Sequence, residues 1–132
     1  MATISALRQG IATNLSTISG LRVSALMLDS PRPPVAMVYP DTVEYDLNAN
    51  RGADTFTFIV YVLVGRADDR TAQNRLDAYV VGDGSVKAAI ESDRTLGGAA
   101  NTLRVTSMEN YQQVSIGDTV YLAVEFMVEV VA

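Results

Sequence analysis

The chain contains no cysteine, histidine or tryptophan. Without cysteine there is no disulfide framework, no thiolate nucleophile and no Cys-based zinc site. Without histidine the commonest general base and the commonest transition-metal ligand are both missing. The absence of cysteine fits folding in a reducing compartment. No apolar run reaches the length of a membrane span, and the first residues lack the basic-then-apolar pattern of an export signal. Lysine is almost absent: nine of the ten basic residues are arginine. Arginine forms planar, bidentate pairs and is favoured at interfaces, although a host's base composition biases codons the same way.

The 132 residues are the length of one ordinary domain, and 48% of them are hydrophobic, enough for a core. We read residues 1–132 as a single domain. Net charge is −5, and it is unevenly spread. Residues 1–40 have an excess of base and 55–104 balance, whereas 41–54 and 105–132 are acidic. No basic stripe exists of the kind that grips a phosphate backbone.

Two segments dominate the pattern. In Val120–Val131 the even positions Val120, Leu122, Val124, Phe126, Val128 and Val130 are all apolar, and the odd positions are mixed. In Thr55–Val64 one face reads Phe56, Phe58, Val60, Val62, Val64, and the other includes Ile59, Tyr61 and Leu63. Strand side chains alternate faces, so both segments read as strands whose second face is also partly apolar. One face takes the protein's own helices; the other asks for a second cover, and in so short a chain another subunit can supply it.

The remaining elements follow from spacing. Ile4, Leu7, Ile11, Leu15 and Ile18 form one stripe of a helix over 3–18, with Gly20 placed to cap it. Leu21–Leu28 alternates as a strand. Pro31-Arg32-Pro33-Pro34 is a stiff extended connector. Val35–Tyr39 is a short strand closed by Pro40, and residues 41–54 form a long polar loop or an irregular hairpin around Thr42–Leu47. After Gly65, Asp68 or Asp69 caps a helix running to about Val81, on a stripe of Ala72, Leu76, Tyr79 and Val80. Ser85 caps a second helix, Val86–Asp93. Leu103–Met108 is a strand, Ile116-Gly117-Asp118 a turn, and Val120–Val131 the closing strand. This order predicts an α+β fold: a mainly antiparallel sheet packed with an N-terminal helix and a central helical pair.

Candidate chemistry is sparse. Asp68-Asp69 stands at a helix start, where acids cap in any case. Glu91 and Lys87 have the spacing of a solvated surface pair. Gly82-Asp83-Gly84-Ser85 lacks the spacing of a phosphate loop, and Asp41, Glu44 and Asp46 lack the spacing of a calcium loop. The composition therefore predicts a protein that is not an enzyme and needs no metal or cofactor. The acidic stretch suits a polar interface rim around an aromatic anchor. Asp41, Glu44, Tyr45, Asp46, Arg51 and Asp54 are the candidate residues for a contact with another subunit or partner.

The layout as a whole resembles a known family. The N-terminal helix ends in Ile18-Ser19-Gly20-Leu21-Arg22-Val23, followed by Pro31-Arg32-Pro33-Pro34-Val35-Ala36. Tyr45-Asp46 and Arg51-Gly52-Ala53-Asp54-Thr55 lead into Phe58-Ile59-Val60-Tyr61-Val62-Leu63-Val64-Gly65-Arg66. Asp68-Asp69-Arg70-Thr71-Ala72-Gln73, Leu76-Asp77-Ala78-Tyr79, Ser85-Val86-Lys87-Ala88-Ala89-Ile90 and Leu96-Gly97-Gly98 complete it. This looks like the small tail-terminator and neck proteins of long, non-contractile-tailed bacteriophages, especially those of actinobacterial hosts. The resemblance implies a virion protein at the head–tail junction, made in the host cytoplasm. It implies a homo-oligomeric ring, a hexamer, that caps the tail tube and ends its polymerisation. Its partners are then itself, the tail tube protein and the head-completion or connector protein, with DNA passing through the lumen unbound. A head-closure ring and an assembly factor outside the virion are the alternatives.

Overall fold

The computed structural model describes residues 3–18, 21–24, 34–45, 54–66, 70–82, 84–116 and 118–132. Its elements run α1 (Ile4–Leu15), β1 (Arg22–Ser24), β2 (Val35–Glu44), β3 (Thr55–Arg66), α2 (Arg70–Val80), α3 (Val86–Ile90), a 3-10 turn (Leu96–Gly98), β4 (Thr102–Ile116) and β5 (Thr119–Val131). The five strands form one sheet in the order β1-β2-β3-β5-β4. Only β1 and β2 run parallel; the other three pairings are antiparallel. The fold is α+β, a single compact unit with its helices packed on one face of the sheet.

Period explains the core. Phe58, Val60 and Val62 of β3 pair with Val128, Phe126 and Val124 of β5, so two apolar rows stand side by side on the helix face, all at 1% exposure or less. Leu7, Ile11 and Leu15 of α1, with Leu76 and Tyr79 of α2 and Val86 and Ile90 of α3, close over them in one cluster, with Ile4 and Ile18 at its margin. The whole helical stripe expected for α1 thus faces the core. Thr3 starts that helix, its side chain accepting from the Ala6 N–H at 3.1 Å. Ser85 does the same for α3 through the Ala88 N–H, at 3.1 Å.

Several boundaries differ from the sequence reading. β2 does not stop at Tyr39: it runs through Pro40 to Glu44, with a register shift between Pro40 and Thr42. A proline without an N–H is tolerated at such a bulge. Residues 41–44 are therefore strand, not loop. Residues 25–28, expected to continue the first strand, lie outside the described residues. β4 continues eight residues past Met108, because pairing with β5 holds a polar stretch that has no alternation of its own. α1 ends at Leu15 and α3 at Ile90, both short of the expected ends. α3 gives way where the Asp93 carboxylate takes the N–H groups of Thr95 and Gly97, at 3.2 and 3.0 Å. The expected caps Gly20, Asp68 and Asp69, the proline segment 31–33 and Gly117 lie outside the described residues.

Val120 also departs from expectation. It belongs to the apolar parity of β5 yet is 43% exposed. The last described rung between β3 and β5 is Arg66 with Tyr121, one residue short of Val120.

Candidate functional site

The β2–β3 hairpin decides where the candidate residues go. Glu44 pairs with Thr55 at the end of the ladder, which brings Glu44 and Asp54 to the same end of the sheet. Asp41 sits in the bulge of β2 and is exposed, as is Glu44. Tyr45 follows directly and is 75% exposed. Asp54 is held by its backbone: its N–H donates to the Ala132 carbonyl at 2.8 Å and its carbonyl accepts from the Ala132 N–H at 3.0 Å. Four candidates therefore lie along one end of β2 and β3, with the chain's last residue beside them. Asp46 and Arg51 lie outside the described residues.

The face of the sheet away from the helices is the second half of the candidate surface. Val35, Met37, Leu63 and Ala123 form a small buried cluster there, with Tyr61, Val114 and Tyr121 packed against it. The next rungs set Met37, Tyr61 and Glu125 side by side, then Tyr39, Ile59 and Met127. The rings of Tyr39 and Tyr61 lie 6.4 Å apart, tilted by 39°, a favourable separation for aromatic pairs. Burial first, and then the charge of Glu125, push both phenols above their ordinary value. They are neutral at physiological pH. Glu125 is fixed by the side-chain amide of Asn110, which donates to Oε2 at 2.8 Å.

Asn110 reaches Glu125 because β4 bulges there. Asn110 has a left-handed backbone, φ 57°, and the register shifts between Glu109 and Gln112. The same bulge turns Tyr111 toward the helices, where its hydroxyl donates to Asp77 Oδ1 at 2.7 Å. Burial and the Asp77 carboxylate push that phenol up to about 12. One irregular residue thus ties β4 to both faces. The sequence carried a hint of this, an Asn in the middle of a strand, a residue that accepts left-handed backbone.

Glu91 is more than the solvated partner of Lys87. Its side chain is only 11% exposed. Oε2 accepts from Lys87 Nζ at 2.6 Å and from the Val105 N–H at 2.9 Å, and Oε1 faces Arg94 at 3.3 Å. Desolvation opposes its charge, but the bonds from Lys87 and Val105 outweigh it and hold the carboxyl below its ordinary value. Spacing alone shows the Lys87 pair; the bond to β4 depends on tertiary placement.

Among the described residues no three acidic side chains converge on a metal-sized site, and no helix is long and apolar enough to cross a membrane. The grooves beside α3 are shallow and lined by small residues such as Gly84, Ser85, Ala88 and Ser92. The arrangement offers contact area, charge and one exposed aromatic ring. No family model matches the chain, and no curated protein matches it.

Proposed function

We propose that this chain is a structural protein of a long-tailed bacteriophage that forms a ring at the head–tail junction, caps the tail tube, ends its polymerisation and docks to the head connector. The observation that carries this reading is the sheet. It is apolar on its helix face and again on its other face around Tyr39, Ile59, Tyr61 and Met127. Such a second face suits a neighbouring copy, and head-to-tail contacts between copies close into rings. The sequence layout resembles that of tail terminators, and the α+β order is the one the resemblance implies. Asp41, Glu44, Tyr45 and Asp54, at one end of β2 and β3, are the proposed contact with the next subunit or the tube. Tyr45 is its aromatic anchor.

Three measurements test this. Sedimentation velocity with negative-stain imaging is expected to show a closed ring, and purified particles are expected to contain the chain. Deleting the gene is expected to give over-long, headless tails. Tails of normal length with leaking heads would move the assignment to a head-closure ring. A solitary chain at high concentration, absent from particles, would defeat both.

A further inference from the structure

The outermost strand of a sheet leaves a row of backbone N–H and C=O groups open to other chains, and folded proteins blunt such rims with bulges, charges or capping side chains. β4 is an outermost strand, and its two halves are treated differently. Along 102–111 the register slips twice, between Val105 and Ser107 and between Glu109 and Gln112. Glu91 occupies the Val105 N–H at 2.9 Å, and Arg104 and Glu109 add charge. From Gln112 to Ile116 none of these devices appears among the described residues. Five consecutive residues pair in unbroken register with Ala123 back to Thr119. Neither 112–116 nor 119–123 holds a charge or a proline, in a chain that is 19% charged. The last two rungs, Ser115 with Val120 and Ile116 with Thr119, lie past the last described rung between β3 and β5. Val120, in the first of these two rungs, is exposed.

We infer that Gln112–Ile116 is a strand-addition rim whose occupant is the same segment of a second copy, antiparallel about a two-fold axis at Val114. In that pairing Val114 faces Val114, Gln113 of one copy faces Ser115 of the other, and Gln112 faces Ile116. A charge at Val114 would face its own symmetry mate, one at Gln113 or Ser115 would lie two residues from its mate, and like charges across a ladder destabilise it. A neutral segment is what self-pairing requires, whereas a rim built to face water carries lysine, a bulge or a cap, as residues 102–111 do. The contact is isologous and therefore separate from the head-to-tail contacts of a ring.

The absence of cysteine makes the test clean. Directly opposed residues place their Cβ atoms about 4.5–5.5 Å apart, close enough that small shifts allow a disulfide. Val114→Cys is expected to form a covalent dimer on mild oxidation. It should do so at least about tenfold faster than Asn74→Cys on the exposed side of α2, because paired cysteines have a high effective concentration. Ser115→Lys, at an exposed position, is expected to weaken self-association in sedimentation velocity by about tenfold or more while leaving the circular dichroism spectrum unchanged. Crosslinking no faster than the control overturns the inference, and so does a Ser115→Lys chain that associates as the parent does. A ring that assembles without the disulfide overturns this contact and leaves the ring reading standing. A disulfide-linked pair with no ring does the reverse.

Discussion

Gly10 lies where α1 crosses the turn at Leu96. A Cβ built on it falls 2.8 Å from the Leu96 Cβ. That neighbour cannot swing aside, because it is bonded directly to a backbone at φ 51°. Two effects compete in Gly10→Ala. Alanine favours the helix by about 1 kcal/mol, while overpacking a close contact costs about 1–3 kcal/mol. The contact is short enough for the second to win, so the variant is expected to lose up to about 2 kcal/mol net in denaturant unfolding. A more stable variant would show that α1 does not approach the turn so closely. Asn14 makes the neighbouring argument with polarity. It is 7% exposed, and its amide donates to the carbonyls of Ile90 and Asp93 at 2.9 and 3.0 Å. The Ile90 carbonyl belongs to the last turn of α3, where carbonyls lack a helical partner, and the Asp93 carbonyl follows in the turn toward Leu96. Asn14→Ala is expected to cost about 1–3 kcal/mol. Asn14→Asp removes the donor and aims a carboxylate at two carbonyl oxygens. It is expected to be the worse of the two at pH 7, with the gap narrowing in acid as the carboxyl takes up a proton.

At the scale of elements, β5 and β4 teach opposite lessons. β5 and β3 were legible because their alternation is written in side chains that are actually buried: Phe126 is 1% exposed and pairs with Val60 on one side and Met108 on the other. Phe126→Asp sets an unpaired charge in that row. Losing the ring alone costs about 3–5 kcal/mol, against a net stability of about 5–15 kcal/mol for a domain. The variant is expected to be recovered unfolded or insoluble, and a soluble, folded product would contradict the placement of this face. β4 was legible only to Met108, because Glu109–Ser115 contact water along the rim and have no apolar period to read. The candidate contact residues were half legible. Their clustering was visible in sequence, but that 41–44 continue β2 was hidden by Pro40, which signals a stop unless a bulge accommodates it. The tie between α3 and β4 was illegible for the same kind of reason, since the partner of Glu91 is a backbone N–H and carries no sequence mark. That tie is sensitive to acid. Glu91 has a folded pKa below its ordinary value, so its charged form contributes stability above that value, and the contribution is lost as pH falls through the folded value. The denaturation midpoint of the parent chain is expected to drop more between pH 7 and pH 3 than that of Glu91→Gln, which has no such proton to bind. Equal drops would mean that Val105 and Lys87 do not stabilise the carboxylate.

For the whole molecule the deciding quantity is where charge sits. The helix layer carries Arg8, Arg70, Arg75, Lys87 and Arg94, but Glu91 already engages Lys87 and Arg94. The sheet carries Asp41, Glu44, Glu109, Glu125 and Glu129 against Arg22, Arg66 and Arg104. A protein binds duplex DNA without regard to sequence by neutralising phosphates with a row of bases, and each phosphate it neutralises adds to the salt dependence. Here the bases are scattered and partly spent, and net charge is −5. The same pattern suits a ring through which DNA must slide, since a lumen that grips phosphates would stall its passage. At about 10 µM protein and near-physiological salt, where non-specific binders have Kd values of roughly 10⁻⁴–10⁻⁶ M, the chain is expected to leave a duplex unshifted in a gel. Lowering the salt to about 0.05 M lengthens the screening distance to beyond 10 Å, and the acidic sheet should then repel the duplex, so no shift is expected there either. A shift at low salt that fades steeply as salt rises would reveal a basic track formed on assembly, and with it a lumen that holds DNA instead of letting it pass.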